Sequence, residues 1–165
     1  AFGTGSHPTT RLCLEALEAA PPQGLVVADL GCGSSVLGLA SLLLGADVVL
    51  AADTDSLAVH ATEGNRTLND CSEQRLKVAL GSVETLQALL AGRRADLLLC
   101  NILAPVIEAL APGFDDLLEQ DGRALLSGLL VDQAPGLHKV LTGLGWTITA
   151  ESSQGRWGLI EIQRA

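Results

Sequence analysis

Residues 25–35 read LVVADLGCGSS, and this stretch decides the fold. Its first six residues are apolar apart from Asp29, which is typical of a strand buried on both faces of a parallel sheet. The glycines at positions 31 and 33 then allow a tight turn. Residues 36–44 predict a short buried helix. A strand, a glycine turn and a helix in this order are the start of an alternating strand–helix fold.

The same alternation continues on both sides of this stretch. Further strands are predicted at residues 48–52, 76–80, 96–100, 123–127, 146–151 and 159–163. Helices are predicted at residues 9–20, 56–69, 83–90, 104–119 and 132–144. Ser56 is expected to cap its helix, and Pro112 is expected to disturb the helix in which it lies. The last two strands have no helix between them, so they should pair antiparallel around Gln154 and Gly155.

Repeated strand–helix units predict an α/β fold of three layers. A mostly parallel sheet would carry helices on both faces, and the C-terminal hairpin would add antiparallel strands to it. The length of 165 residues fits one domain, so residues 1–165 are predicted to form a single domain. The longest apolar stretch, residues 36–46, is too short to span a bilayer, so no membrane association is expected.

The composition argues against nucleic acid as a direct partner. Nineteen acidic residues against ten basic ones give a net charge of −9, which repels phosphate backbones and favours a basic protein. Four cysteines occur without metal-ligand or redox spacing, at positions 13, 32, 71 and 100. They are expected to be reduced thiols of a cytoplasmic protein, and no metal site is predicted.

The residues that follow the predicted strands indicate an adenosine-containing ligand. Ligands of open parallel sheets bind at the carboxyl ends of the strands. Gly31 and Gly33 would let a ligand approach the backbone closely, and Asp53, at the tip of the next strand, could accept both hydroxyls of a ribose. Alternatively, the glycines serve only the turn and Asp53 caps the next helix.

S-adenosylmethionine fits this region better than a dinucleotide does. The dinucleotide fingerprint requires a third glycine where this chain has Val36. No lysine or arginine occurs between Arg11 and Arg66, whereas seven carboxylates do. Such an acidic region opposes a pyrophosphate and attracts a ligand that carries a sulfonium and an ammonium.

Asn101 follows the apolar strand DLLLC and is the candidate catalytic residue. Its amide oxygen and the neighbouring carbonyls could accept hydrogen bonds from a substrate amine and direct the nitrogen lone pair towards a methyl group. The alternative is that Asn101 caps the helix that follows.

Five segments together resemble the catalytic domain of the ribosomal protein L11 methyltransferase family. They occur in the order AFGTGSHPTT, VADLGCGSSVLGLA, AADTDS, ADLLLCNILAPV and GRALLSGLL, and the likeness covers nearly the whole chain. The resemblance implies a seven-stranded, Rossmann-like class I methyltransferase. It also implies an enzyme that uses S-adenosylmethionine to methylate lysine side chains and the N-terminal amine of a large-subunit stalk protein.

The same resemblance implies a set of cofactor contacts. By motif they fall on Thr10, Gly31, Asp53 and Asn101, with Thr10 at the methionine end, and Gly33 is added to them because of its place in the glycine loop. Ser82 and Val83 would lie near the adenine. Phe2 and His7, from the opening segment, could form a lid.

Two departures from the family pattern lead to further expectations. The family usually reads GxGSG in the loop, whereas this chain has Ser35 at the last position. If that position needs a positive φ, serine should be strained there. Family members also carry an N-terminal substrate-recruiting domain, which is expected to be absent here. A degenerate cofactor-binding module without catalysis is therefore the main alternative function; a nicotinamide-dependent oxidoreductase and a methyltransferase with a small-molecule or glutamine substrate are the others.

Overall fold

The structure is a computed structural model that describes residues 6–165, and seven strands carry its architecture. The strands are β1 (Val26–Leu30), β2 (Val48–Asp53), β3 (Leu76–Leu80), β4 (Ala95–Asn101), β5 (Leu118–Leu130), β6 (Trp146–Gln154) and β7 (Trp157–Arg164). They form one sheet in the order β3-β2-β1-β4-β5-β7-β6. The first five strands pair in parallel, and β7 runs antiparallel to both β5 and β6. The predicted mostly parallel sheet with an antiparallel C-terminal hairpin is confirmed.

The part of the chain that the structure describes contains six α-helices, of which the first precedes β1 and the other five connect successive strands. They are α1 (Pro8–Ala19), α2 (Val36–Leu43), α3 (Ser56–Leu68), α4 (Val83–Leu90), α5 (Ala104–Leu110) and α6 (Ala134–Gly143). Two short 3₁₀ helices lie at Ala111–Asp116 and Val131–Gln133.

The sheet is buried on both faces because successive side chains of a strand point to opposite sides. In β1, Val27 belongs to the core beneath α1 and α2, whereas Ala28 and Leu30 belong to the core beneath α4, α5 and α6. This alternation explains why the strand reads as an almost continuous apolar run.

The helical region predicted over residues 104–119 is disturbed at Pro112, as expected, but it ends at Asp116 rather than at residue 119. The α-helix ends at Leu110, and a 3₁₀ helix carries the chain to Asp116. Pro112 has no N–H for a helical hydrogen bond, so the α-helix cannot continue through it. Strand β5 begins at Leu118, where Leu118 pairs with Ala95, and is therefore longer than the predicted 123–127.

The predicted cap of α3 is also wrong by one residue. Ser56 is the first residue of the helix, and Asp55 precedes it as the N-cap. The Asp55 carboxylate accepts a hydrogen bond from the backbone N–H of Leu57 at 2.9 Å. A carboxylate serves this position as well as a hydroxyl does, and sequence alone could not choose between adjacent capping residues.

The cysteines at positions 13, 32, 71 and 100 form no disulfide, in agreement with the predicted reduced thiols. Within residues 6–165, every helix is too short or too polar to cross a membrane.

Candidate active site

A cleft of two lobes opens at the carboxyl ends of β1, β2 and β4. The larger lobe has a volume of about 370 Å³ and is lined by Leu30, Gly31, Asp53, Thr54, Gly81, Ser82, Ile102, Leu103, Val106 and Leu110. The smaller lobe, of about 30 Å³, is lined by Thr10, Asp29, Gly31, Cys32, Gly33, Val36, Leu37 and Asn101. Gly31 belongs to both lobes, so they adjoin. This is the edge of a doubly wound sheet at which ligands bind.

The cleft brings together six of the seven predicted site residues. Asp53 and Ser82 line the larger lobe, and Gly31 lies between the lobes. Thr10, Gly33 and Asn101 line the smaller lobe. Their chain positions span residues 10 to 101, and the parallel pairing of β1 with β2 and β4 brings the strand ends that carry Gly31, Asp53 and Asn101 side by side.

Two described residues of the predicted site or lid, Val83 and His7, are not among the residues that line the two lobes. Val83 begins α4 and packs its half-buried side chain against the core, facing Gly113, so its role near the adenine stays a prediction. His7 caps α1 by accepting a hydrogen bond from the backbone N–H of Thr9, and its ring contacts Trp157 edge-on at 4.9 Å. Phe2 lies outside the described residues.

Glycine is favoured at positions 31 and 33 for different structural reasons. Gly31 has φ +71°, and a Cβ there would lie 2.5 Å from the Cγ2 atom of Ile102. Gly33 has φ +56°, but a Cβ there would meet open space. Gly31 is therefore fixed by packing and backbone conformation together, whereas Gly33 is fixed by backbone conformation and leaves room beside the smaller lobe.

This difference predicts unequal effects of alanine at the two positions. Gly31→Ala should lower the free energy of unfolding by about 2–4 kcal/mol, because left-handed strain adds to overpacking against Ile102. Gly33→Ala, the matched control, should lower it by only about 1 kcal/mol, because strain acts alone. Urea unfolding of both variants measures the difference. Equal losses of stability would show that the contact with Ile102 is relieved without cost.

Asp53 holds the glycine loop as well as facing the larger lobe. Its Oδ2 accepts a hydrogen bond from the backbone N–H of Gly33, and its Oδ1 accepts one from that of Asp55, both at 2.9 Å. Because Asp55 is the residue that caps α3, the alternative in which Asp53 caps this helix is wrong. A carboxylate has about four acceptor sites, so two remain for ligand hydroxyls.

Asn101 does not cap the helix that follows it. The N-cap of α5 is Leu103, and no side chain caps this helix terminus. The Oδ1 atom of Asn101 is buried and has no hydrogen-bond partner in the described structure. A buried amide oxygen without a donor is costly, which favours a role in binding a ligand with an N–H or O–H group.

Asp29 also lines the smaller lobe, although the sequence analysis does not single it out as a candidate site residue. It is only 3% exposed, and its Oδ2 also has no hydrogen-bond partner in the described structure. Burial, followed by repulsion from Asp53, raises the pKa of Asp29 to about 7. The available signal was a carboxylate in a strand buried on both faces, where an unpaired charge is expensive.

The cleft contains no positive charge to balance these carboxyl groups. Within the described part of the chain, neither lysine nor arginine lines the lobes. Burial raises the pKa of the Cys32 thiol to about 12, so this thiol stays neutral beside the acidic groups. The site is therefore suited to a ligand that brings its own positive charge.

Ser35 occupies a position where the backbone favours glycine, as expected. Its φ is +64° and its ψ is +32°, in the left-handed region. For a residue with a side chain this conformation costs about 1–2 kcal/mol. The Ser35 side chain is fully buried, and its hydroxyl lies 2.8 Å from the hydroxyl of Thr62 on α3.

Comparison with known proteins identifies the relatives of this chain. The family model described as ribosomal protein L11 methyltransferase matches residues 1–165. A curated protein of that name from Parasynechococcus marenigrum is 75% identical over 99% of this chain and 57% of its own length. Another from Prochlorococcus marinus is 63% identical over 99% of this chain and 54% of its own length.

A solved structure agrees with this assignment. The ribosomal protein L11 methylase of Lactobacillus delbrueckii subsp. bulgaricus superposes with a TM-score of 0.83 at 33% identity, over 94% of this chain and 78% of that one. The chain spans a little over half the length of the curated relatives it matches. With the family model matched from end to end, the chain belongs to the ribosomal protein L11 methyltransferase family.

Proposed function

We propose that this chain binds S-adenosylmethionine in the two-lobed cleft and directs its methyl group to amines of a basic protein. The observation that carries the proposal is a pair of buried acceptors beside the same lobe, Asp29 Oδ2 and Asn101 Oδ1, for which residues 6–165 supply no donor. An ammonium group supplies up to three N–H donors and a positive charge, and so satisfies such a pair.

The shapes of the lobes support the same ligand. The larger lobe has apolar walls from Ile102, Leu103 and Val106, with Asp53 at its edge, which suits an adenine and its ribose. The smaller lobe holds Asp29, Asn101 and the loop glycines, which suits the methionine end. The residues present therefore fit S-adenosylmethionine.

The residues of this chain bind the cofactor and align it with the substrate amine. When bound, the cofactor supplies an activated methyl group on its sulfonium. The residues of the cleft hold this group and exclude water, and alignment of reacting atoms near contact is worth several kcal/mol. Asn101, at the end of β4, offers an amide oxygen to the incoming amine. A lysine amine has an ordinary pKa of about 10.4, so it reacts after losing its proton to water or after desolvation lowers that pKa.

The proposed partner is ribosomal protein L11, on the strength of the relatives' names. A net charge of −9 favours a basic protein and disfavours direct binding of nucleic acid. We also propose that residues 1–165 act as one cofactor-binding domain and work in the cytoplasm, where a ribosomal substrate is found.

Asn101→Ala should slow methylation more than it weakens cofactor binding. The substitution removes an acceptor for the substrate amine, so kcat should fall about tenfold to a hundredfold, the range for one lost hydrogen bond to a charged or reacting group. The same amide oxygen is a proposed acceptor for the cofactor's ammonium group, but Asp29 remains as the second acceptor, so the Kd of S-adenosylmethionine should rise by about tenfold at most. Single-turnover kinetics and calorimetry on one preparation measure both quantities. Normal turnover in this variant would show that Asn101 does not position the amine.

One experiment tests the proposed function directly. The chain is incubated with radiolabelled S-adenosylmethionine and ribosomal protein L11, and label on the protein is measured; calorimetric titrations with S-adenosylmethionine and with NAD accompany it. Binding of S-adenosylmethionine with transfer of label supports the proposal. Binding without transfer supports a cofactor-binding module, and binding of NAD alone supports an oxidoreductase.

A further inference from the structure

Two side chains of α3, Thr62 and Asn65, form hydrogen bonds to residues 33–35 of the glycine loop. Thr62 is fully buried, donates a hydrogen bond to the carbonyl oxygen of Gly33 at 2.9 Å, and lies 2.8 Å from the Ser35 hydroxyl. Asn65 donates a hydrogen bond to the carbonyl oxygen of Ser34 at 2.9 Å. Residues three apart lie on the same face of a helix, so one face of α3 fixes three consecutive loop residues.

The direction of the hydroxyl bonds follows from the number of protons. A threonine hydroxyl has one proton, and Thr62 gives it to the carbonyl oxygen of Gly33. Thr62 must therefore accept the proton of the Ser35 hydroxyl. The result is a relay from Ser35 through Thr62 to the Gly33 carbonyl, in which both hydroxyl-bearing side chains are fully buried.

The relay couples Ser35 to the geometry of Gly33. Ser35 has φ +64°, a conformation that glycine adopts freely and serine does not. Its buried hydroxyl stabilises this strained loop through Thr62. On the other side, the N–H of Gly33 donates to Asp53 Oδ2 at 2.9 Å. Both peptide units of Gly33 are thus held by side chains, and the position of its missing Cβ stays open.

We propose that Thr62 is a positioning residue for the cofactor, which acts through Gly33 and compensates for serine at position 35. The inference rests on the proposed function, because the ligand of the smaller lobe is taken to be the methionine end of S-adenosylmethionine. Thr62 does not line the cleft, so its effect on binding must pass through the loop.

Thr62→Val keeps the size of the side chain and removes the hydroxyl. The Gly33 carbonyl then loses a donor and the Ser35 hydroxyl loses its acceptor. The Kd of S-adenosylmethionine, measured by calorimetry on the full chain, should rise about tenfold or more. Thr62→Ser restores the hydroxyl and should bring the Kd back to within about threefold of the unaltered chain. Thr67→Val is the matched control, because Thr67 carries an exposed hydroxyl on the same helix, bonded to the Glu63 carbonyl.

Ser35 provides a second, independent set of variants. Ser35→Ala keeps the left-handed strain without the hydroxyl, and should weaken binding measurably but less than Thr62→Val does, because Thr62 still donates to the Gly33 carbonyl oxygen. Ser35→Gly removes both strain and hydroxyl, and should bind within about threefold of the unaltered chain. In the free energy of unfolding, which needs no cofactor, Ser35→Gly and Thr62→Val should combine non-additively, since they interrupt one relay.

The outcomes separate two kinds of failure. If the unaltered chain does not bind S-adenosylmethionine, the proposed function fails and the positioning role fails with it. If the unaltered chain binds S-adenosylmethionine, and Thr62→Val and Ser35→Ala both bind it as tightly as the unaltered chain does, the positioning role alone is overturned. Additive effects on unfolding would likewise overturn the coupling between Ser35 and Thr62. The proposal is supported if Thr62→Val and Ser35→Ala bind S-adenosylmethionine more weakly, while Thr62→Ser and Ser35→Gly bind it about as tightly as the unaltered chain does.

Discussion

Replacing Asp53 with alanine should weaken S-adenosylmethionine binding by a factor of about 100 or more. The carboxylate is the proposed acceptor for the ribose hydroxyls, and each hydrogen bond to a charged acceptor is worth about 1.5–3 kcal/mol. The variant also releases the glycine loop, because Asp53 accepts hydrogen bonds from the N–H groups of Gly33 and Asp55. Calorimetric titration of the variant with S-adenosylmethionine measures the loss.

Asp55→Ala is the matched control for this experiment. It removes the same charge two residues away and the cap of α3, but Asp55 does not line either lobe. Loss of a cap lowers the free energy of unfolding by about 1 kcal/mol. Cofactor affinity should stay within about threefold of the unaltered chain, since no ligand contact is removed. If Asp53→Ala bound as tightly as Asp55→Ala, the ribose assignment would be wrong.

Asp29→Asn should make the free protein more stable at pH 8 while it weakens cofactor binding. The unfolded carboxyl ionises near its ordinary pKa of 3.8, whereas the folded one does so near 7, because burial and then repulsion from Asp53 disfavour its charge. This difference corresponds to a penalty on the order of 4 kcal/mol above pH 7. Asparagine has nearly the same shape and carries no charge, so the penalty disappears.

The protonation of Asp29 determines how the free energy of unfolding changes with pH. A raised pKa in the folded state means that the folded protein binds more protons than the unfolded one between about pH 4 and pH 7. The stability of the unaltered chain therefore falls with rising pH in this window and levels off above it. The gain from Asp29→Asn should widen by about 2–3 kcal/mol between pH 5 and pH 8. Denaturant unfolding at both pH values measures this widening.

The affinity for the cofactor should change with pH in the opposite direction to the stability of the free protein. An ammonium ligand needs the ionised form of Asp29, so the affinity of the unaltered chain should rise from pH 6 to pH 8, whereas that of Asp29→Asn should be weak throughout. The other groups that interact with Asp29 are Asp53 and the thiols of Cys13, Cys32 and Cys100. Burial raises the pKa of all three thiols, so they stay neutral across this range.

Asp47→Asn provides the control for simple loss of charge. Asp47 is exposed, and it precedes β2 at the opposite end of the strand from the cleft. Its replacement should change the free energy of unfolding by less than about 0.5 kcal/mol at either pH. If Asp29→Asn behaved like this control, the buried carboxyl would not carry the expected penalty.

The trade-off at Asp29 is typical of binding sites. A carboxyl group kept in an apolar strand lowers the stability of the free protein and is retained for a ligand that needs it. The same reasoning applies to Ser35, where left-handed strain is offset by the buried hydroxyl of Thr62. Both features depart from local sequence rules, and both lie at the proposed site.

The alternation of strands and helices, the glycine loop and the carboxylate at the tip of β2 can all be predicted from the sequence. These features depend on local periodicity and local turn chemistry, which act over a few residues. Strand β3 and helix α4 were predicted with the bounds that the structure shows, Leu76–Leu80 and Val83–Leu90. The predictions failed where a choice depended on neighbours, as at the cap of α3 and at the end of the helical region, where Leu118 pairs with Ala95 of β4 instead.

The tertiary structure determines which buried polar atoms lack a hydrogen-bond partner. It also determines which side chains form hydrogen bonds to residues that are distant in the chain. Within residues 6–165, Asp29 and Asn101 each carry a buried side-chain oxygen without a donor, and burial depends on every element packed around the side chain. Thr62 lies 27 residues from Ser35 in the chain, and no local pattern links the two. Hydrogen bonds between distant residues depend on strand register and helix packing, which the whole sequence specifies jointly and no short stretch encodes.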